Sequence, residues 1–158
     1  KRSDRFRISP TGTRALRKSV LISTRGRMHL LDTSICVAIL RGASSAVRPR
    51  FRSALRSGVA VSSVTAAELY YGLARSTRPD KERAGVEALL SAVSVIPLDR
   101  KAAEGYGMLR RYLERRGEII GQFDLLIAAQ ALASNAILVT NNTREFARVP
   151  TLTLEDWL

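Results

Sequence analysis

The sequence predicts an α/β fold of three layers (α/β/α), with a central parallel sheet of about five strands and helices on both faces. Short apolar segments typical of buried strands alternate along the chain with longer segments of helical spacing. Parallel strands need a crossover connection, which is usually a helix. The alternation of strands and helices therefore favours a parallel sheet. With 158 residues, 46% of them hydrophobic, the chain is long enough to bury one core.

The first half of the domain contains two predicted strands and three predicted helices. The strands lie at residues 29–31 and 59–61, and the helices at 33–40, 46–57 and 65–75. Thr33 or Ser34 is the expected N-cap of the first helix. Leu69 and Leu73, four residues apart, place one apolar face on the third helix.

The second half repeats the alternation. Strands are predicted at residues 93–98, 136–139 and 152–154, and helices at 79–92, 99–116, 123–134 and 144–146. Pro79 is suited to the first turn of the helix at 79–92. Asp99 is suited to the N-cap of the long helix at 99–116, and Gly117 is suited to its end. In a sheet of this kind ligands bind at the carboxyl ends of the strands, near the point where the strand order reverses.

The positive charge is concentrated at the N-terminus. The chain carries a formal net charge of +12, of which residues 1–27 contribute +8 and the rest +4. These 27 residues show no helical or strand period, so we expect a disordered basic extension that need not be native, followed by a domain at 28–158. The extension is either incidental or an arm that binds RNA phosphates.

The residue types present restrict the metals and the location of the protein. With one cysteine, Cys36, and one histidine, His29, the chain can form neither an intrachain disulfide nor a Cys/His zinc site. Any metal must be held by oxygen ligands, which selects Mg²⁺, with Mn²⁺ as a substitute. Since no apolar run approaches the roughly 18 residues of a membrane span, we expect a soluble, cytoplasmic protein.

Acidic and amide side chains occur where the predicted strands end. Asp32 follows the first strand, Glu68 lies one turn into the helix after the second, and Asp124 lies in the first turn of an Ala-rich helix. Residues 140–142 (Thr-Asn-Asn) follow the fourth strand. These positions can converge at one edge of the sheet. Crowded carboxylates repel one another, and a divalent cation relieves that repulsion, so the cluster suggests a cation site facing phosphate.

Each acid also has a structural interpretation. Asp32 could be an N-cap, Glu68 could complete a capping box begun by Thr65, and Asp124 could stabilise a helix dipole. Asp99 is interpreted as an ordinary N-cap. Several arginines near the end of the long helix could contact RNA or form a solvated face (Arg110, Arg111, Arg115, Arg116).

Taken together, four segments resemble the motifs of PIN-domain ribonucleases. They are MHLLDTS at 28–34, VSSVTAAELYYG at 61–72, GQFDLLIAA at 121–129 and LVTNNTREF at 138–146. The ending LTLEDW at 152–157 is similar to the tails of VapC toxins from VapBC toxin–antitoxin systems. The resemblance covers about residues 28–158, with all four motifs in order.

The resemblance implies a magnesium-dependent endoribonuclease that inhibits translation. It implies that Asp32, Glu68 and Asp124 are metal ligands and catalytic residues. It also implies neutralisation by a cognate VapB antitoxin, homodimerisation, and a higher assembly with the antitoxin. Thr33, Ser34 and Thr140 are expected to support the carboxylates.

The fourth motif departs from the commonest PIN pattern. Many PIN domains have an aspartate where this chain has Asn142, which is kept here as a catalytic candidate that adds no charge. Glu145 is a candidate for the missing acid and leaves the number of bound ions open. This form of the motif resembles a VapC group that cleaves initiator tRNA in its anticodon region, so tRNA is the expected substrate.

Three other interpretations are weighed against this one. Asn142 gives some support to a catalytically weak PIN scaffold that binds RNA or protein. A phosphatase-like enzyme usually needs a second aspartate two positions after the first, where this chain has Ser34. A nucleotide-binding module is disfavoured because the sequence has no Gly-rich loop of the P-loop or dinucleotide type.

Overall fold

The computed structural model describes residues 26–158. The disordered extension predicted from the sequence therefore lies, in its first 25 residues, outside the described part of the chain. Arg27, at the start of the described part, donates hydrogen bonds to the backbone oxygens of Asn135 and Ala136, at 2.9 and 3.2 Å, and to Thr153 Oγ1 at 3.1 Å. The guanidinium thus ties the entry of the domain to its C-terminal half.

Five strands alternate with seven helices across the described residues. The strands are β1 (His29–Leu31), β2 (Val59–Ser62), β3 (Ser94–Ile96), β4 (Ile137–Val139) and β5 (Thr153–Glu155). The helices are α1 (Thr33–Arg41), α2 (Val47–Ala54), α3 (Ser63–Arg75), α4 (Pro79–Ala92), α5 (Arg100–Arg116), α6 (Gln122–Ala133) and α7 (Thr143–Phe146). Every predicted element is present, and the differences lie at the boundaries.

The caps of two helices differ from the first predictions, although an N-cap role for Asp32 is the alternative that the sequence offers at α1. Asp32, not Thr33 or Ser34, caps α1, because its backbone is extended and its carboxylate accepts from the Thr33 N–H at 2.7 Å. Ser62 caps α3 in the same way, accepting from the Val64 N–H at 3.0 Å. The capping box expected to begin at Thr65 is therefore absent, and Glu68 lies inside the helix.

All strand pairs are parallel, and the sheet has the order β3-β2-β1-β4-β5. The chain adds strands on one side of β1 and then crosses to the other side to form β4. The order of strands thus reverses between β1 and β4, where Leu31 is paired with Val139. Ligands are expected at the carboxyl ends of these two strands.

Two apolar layers sandwich the sheet. Leu31, Val61 and Val139 face the side covered by α1 to α4, where Cys36 and Trp157 are also buried. The alternate residues of the same strands face α5, α6 and α7 on the other side. The predicted three-layer α/β/α fold is confirmed. Within residues 26–158, no helix is both long and apolar enough to cross a bilayer.

Candidate metal centre

Asp32 lies at the point where the strand order reverses. Its backbone N–H donates to the Val139 oxygen at 2.9 Å, which places the residue at the carboxyl ends of β1 and β4. The side chain is only 5% exposed. Oδ1 accepts from the Thr33 N–H, and Oδ2 accepts from the hydroxyls of Ser34 and Thr140, both at 2.9 Å. A helix cap needs only the first bond, so the other two hold this carboxylate in one orientation.

Thr33 links Asp32 to the second acid. Its backbone N–H donates a hydrogen bond to Asp32 Oδ1, and its hydroxyl donates a short hydrogen bond to Glu68 Oε2. Glu68 lies on α3, which contacts α6, and is partly buried. The start of α1 therefore positions two carboxylates through one residue.

Asp124, in the first turn of α6, is surrounded by other carboxyl groups. Burial first, and then the negative charges of Asp32, Glu145 and Glu68, together raise its pKa from 3.8 to about 6. Glu145 is also close enough to hydrogen-bond to it. An acid placed only to stabilise a helix N-terminus would have a lowered pKa. The helix-dipole interpretation therefore does not account for Asp124.

Thr140 and Asn142 fix the end of β4. Thr140 is fully buried, and its hydroxyl oxygen accepts from the Asn142 N–H at 3.0 Å while donating to Asp32. Among the described residues the Asn142 side chain makes no hydrogen bond to the carboxylates and does not cap α7. The backbone N–H of Asn142, and not its side chain, joins this hydrogen-bond network. The acid that α7 places beside Asp124 is Glu145.

The donor set fits a hard cation bound through water. Within the described range, no three Asp, Glu, His or Cys side chains form a ready-made coordination cage. Mg²⁺ needs none, since it takes one or two carboxylates and keeps several waters. Burial and then the like charges around it raise the pKa of Asp124, and a bound divalent cation would offset both. The residues present therefore fit Mg²⁺ or Mn²⁺.

Comparison with known proteins agrees with this geometry. The PIN-domain family model matches residues 29–152. Ribonuclease VapC2 of Rickettsia felis is 42% identical over 131 residues, which is 82% of this chain and 98% of the relative. The chain belongs to the VapC family of PIN-domain ribonucleases. A tRNA(fMet)-specific endonuclease VapC of Shigella flexneri is also 42% identical, over 81% of this chain and 96% of the relative.

Solved VapC structures share the fold. The VapBC2 complex of Rickettsia felis bound to a promoter DNA fragment contains a chain with TM-score 0.79 and 38% identity, covering 83% of this chain and 99% of that one. DNA-bound VapBC of Salmonella typhimurium gives TM-score 0.79 and 36% identity, with coverage of 84% and 99%. These relatives are matched over nearly their whole length.

Some residues around this VapC site were missed from the sequence. Gly121 approaches the site closely, since a Cβ there would lie 3.1 Å from Asp124 Oδ2. Tyr71 and Phe123 are exposed beside the carboxylates, although large apolar side chains at helical spacing suggest a core. The only signal for Phe123 was its position directly before a candidate ligand.

Proposed function

We propose that this VapC protein is an Mg²⁺-dependent endoribonuclease that cleaves tRNA, with the anticodon region of initiator tRNA as its target. Cleavage there inhibits translation. The observation that carries the proposal is the crowding of Asp32, Glu68 and Glu145 around Asp124 at the reversal point of the sheet. The tRNA target is supported by the 42% identity to the Shigella flexneri tRNA(fMet)-specific endonuclease.

The side chains divide into ligands and supports. Asp32 and Asp124 are the main ligands, and Glu68 completes the shell or orients the attacking water. Ser34 and Thr140 hold Asp32, and Thr33 holds Glu68. Glu145 takes the place of the acid that Asn142 does not supply.

When bound, Mg²⁺ would stabilise the negative charge that develops on the scissile phosphate and would lower the pKa of a water molecule. The N-terminus of α6, where no side chain caps the helix and Asp124 lies in the first turn, would add a positive dipole end for the phosphate. Attack by water leaves a 5′-phosphate and a 3′-hydroxyl. Attack by the ribose 2′-hydroxyl would leave a cyclic phosphate instead.

The solved relatives also indicate which partner proteins to propose for this chain. Several solved relatives are VapBC complexes, which supports a cognate VapB antitoxin as the partner of this chain. We extend the proposal to a homodimer that forms a higher assembly with the antitoxin. Exposed large apolar side chains, among them Met108 and Ile119, are available for such contacts.

The test is incubation with total tRNA and Mg²⁺, with and without EDTA, followed by mapping of the RNA ends. We expect cuts in the anticodon stem-loop of initiator tRNA that EDTA abolishes. Asp32→Asn and Asp124→Asn should each slow cleavage about 100-fold or more while keeping the fold. Asp99→Asn, which alters only the cap of α5, is the matched control and should cleave normally.

Different failures have different meanings. Wild-type cleavage by Asp32→Asn removes the proposed centre, and cyclic-phosphate ends remove the water route. Cleavage of another RNA but not tRNA leaves the nuclease in place and rejects the substrate. RNA binding with no cleavage at any Mg²⁺ concentration would favour the PIN scaffold.

A further inference from the structure

A groove of about 930 Å³ opens from the acidic site along α3. Thr33 and Glu68 of the acidic site are part of its lining. Its walls carry two exposed aromatic side chains, Tyr71 on α3, which is 62% exposed, and Phe123 on α6, which is 56% exposed. We call this the Tyr71–Phe123 groove. Single exposed apolar side chains are common on protein surfaces, but two exposed rings lining one groove are what a ligand-binding groove presents.

Positive charge lines the same groove. Arg41 and Arg75 border it, and within residues 26–158 neither arginine forms a salt bridge or a side-chain hydrogen bond. The Arg75 guanidinium lies over the Tyr71 ring, 5.6 Å from its centroid. Glu82 is the one further acid of the lining apart from Glu68. Outside the acidic site, arginines thus outnumber acids in the groove.

We propose that the Tyr71–Phe123 groove binds unpaired bases of the RNA strand next to the scissile phosphate. The bases stack on Tyr71 and Phe123, and Arg41 and Arg75 contact the flanking phosphates. The inference rests on the proposed function, because Glu68 joins the groove to the cleavage site. Tyr71 and Phe123 are thereby specificity-determining residues that select single-stranded loops.

Physical chemistry favours RNA over a protein segment as the occupant. Proteins recognise single-stranded RNA by stacking its bases on aromatic rings and arginine planes, and by neutralising its phosphates. An apolar partner helix would need neither the unpaired arginines nor the continuity with the carboxylates. The Arg75 guanidinium, 5.6 Å from the Tyr71 ring centroid, also places positive charge next to the ring on which a base would stack.

The experiment measures cleavage kinetics of an RNA hairpin with an unpaired loop, in Mg²⁺, for variants of the full chain. Tyr71→Ala and Phe123→Ala should each raise KM about 10-fold with kcat changed by less than about twofold, as expected for the loss of one stacked base. Tyr71→Phe keeps a ring and should keep the wild-type KM. Tyr70→Ala, on the same helix but outside the groove, is the matched control.

A second readout does not depend on cleavage. The same hairpin with 2-aminopurine in its loop is bound in EDTA, where stacking quenches the fluorescence. Wild-type protein should quench it, and Tyr71→Ala should not. Quenching without any cleavage in Mg²⁺ would reject the proposed nuclease and keep the groove as an RNA site.

Three results would overturn the proposal. One is an unchanged KM in both alanine variants. Another is wild-type behaviour of Tyr71→Leu, which keeps apolar bulk without a ring and guards against misfolding of the alanine variant. The third is loss of self-association or of antitoxin binding with KM unaffected, which would make the groove a protein-docking surface.

Discussion

Asp124 is the residue whose ionisation should dominate the pH dependence of the metal-free protein. Burial, followed by the charges of Asp32, Glu145 and Glu68, raises its pKa from 3.8 to about 6. The folded state therefore binds this proton more tightly than the unfolded state does. Its contribution to the free energy of unfolding is full below about pH 4 and is lost as the pH rises through 6.

Asp124→Asn should consequently stabilise the metal-free protein at pH 8 and not at pH 3. Asparagine carries no charge and so removes both the penalty for burying a carboxylate and the repulsion, and after allowance for solvent screening the gain is about 1 kcal/mol, or about 2–4 °C in Tm. Thermal unfolding in EDTA at the two pH values measures it. An equal gain at both would show that charge is not the cause.

Thr140 supports Asp32 from a fully buried position. Thr140→Val keeps the shape but removes the donor to a buried carboxylate and the acceptor for the Asn142 N–H. We expect the free energy of unfolding to fall by about 2 kcal/mol, because a hydrogen bond to a charged group is lost. Chemical denaturation measures this. Thr140→Ser retains the hydroxyl and should recover most of the loss, whereas an equally unstable serine variant would assign the effect to packing.

Residue placement explains which site residues the sequence could predict. Asp32 directly follows a strand, and the topology of a parallel sheet alone brings it to the edge where ligands bind. The pairing of Glu145 with Asp124 depends on how the single turn α7 is oriented, which no local pattern specifies. For the same reason the sequence could not predict that the Asn142 backbone N–H donates to Thr140 Oγ1, and the catalytic role of the Asn142 side chain stays a prediction.

At the scale of the element, one glycine inside α5 and the glycine that caps its end have opposite expected effects. Gly117 ends the helix at φ +66°, while Gly107 lies inside it, and a Cβ at either position meets nothing within 4 Å. Gly117→Ala should cost about 1 kcal/mol, since alanine is strained in the left-handed region. Gly107→Ala should add about 0.5–1 kcal/mol through helix propensity.

Denaturant unfolding of the two variants measures whether the free energy of unfolding falls or rises in each, and each variant is the control for the other. Cleavage should be unchanged in both, because neither glycine contacts the site. If both substitutions shift stability in the same direction, conformational preference is not what distinguishes the two positions.

Helix boundaries show where local signals compete. The start of α5 was predictable because Asp99 is the only capping residue near it, and it accepts from the Ala102 N–H at 2.8 Å. At α3, Ser62, Ser63 and Thr65 are all suitable caps. Strand β2 extends to Ser62, and its pairing with β3 decides which of them begins the helix.

For the whole molecule, the site is a property of the topology. Asp32 follows β1 and Thr140 follows β4. Glu68 belongs to the helix layer of α1 to α4, and the opposite layer provides Asp124 and Glu145. The two faces of the sheet meet at the site only because the strand order reverses there. A cation held by acids from both layers would therefore link the two halves of the fold.

Mg²⁺ should accordingly stabilise the whole domain. A ligand that binds only the folded state at about tenfold above its Kd adds about 1.4 kcal/mol, or about 3–5 °C in Tm. The rise should shrink toward pH 5, where Asp124 retains its proton and must lose it to bind the ion. Asp124→Asn should abolish the rise and Asp99→Asn should keep it, with Na⁺ at matched ionic strength as the salt control. A Tm that responds to Mg²⁺ equally in all of these proteins would mean that the ion acts through general screening, and the acids would then need another explanation for their proximity.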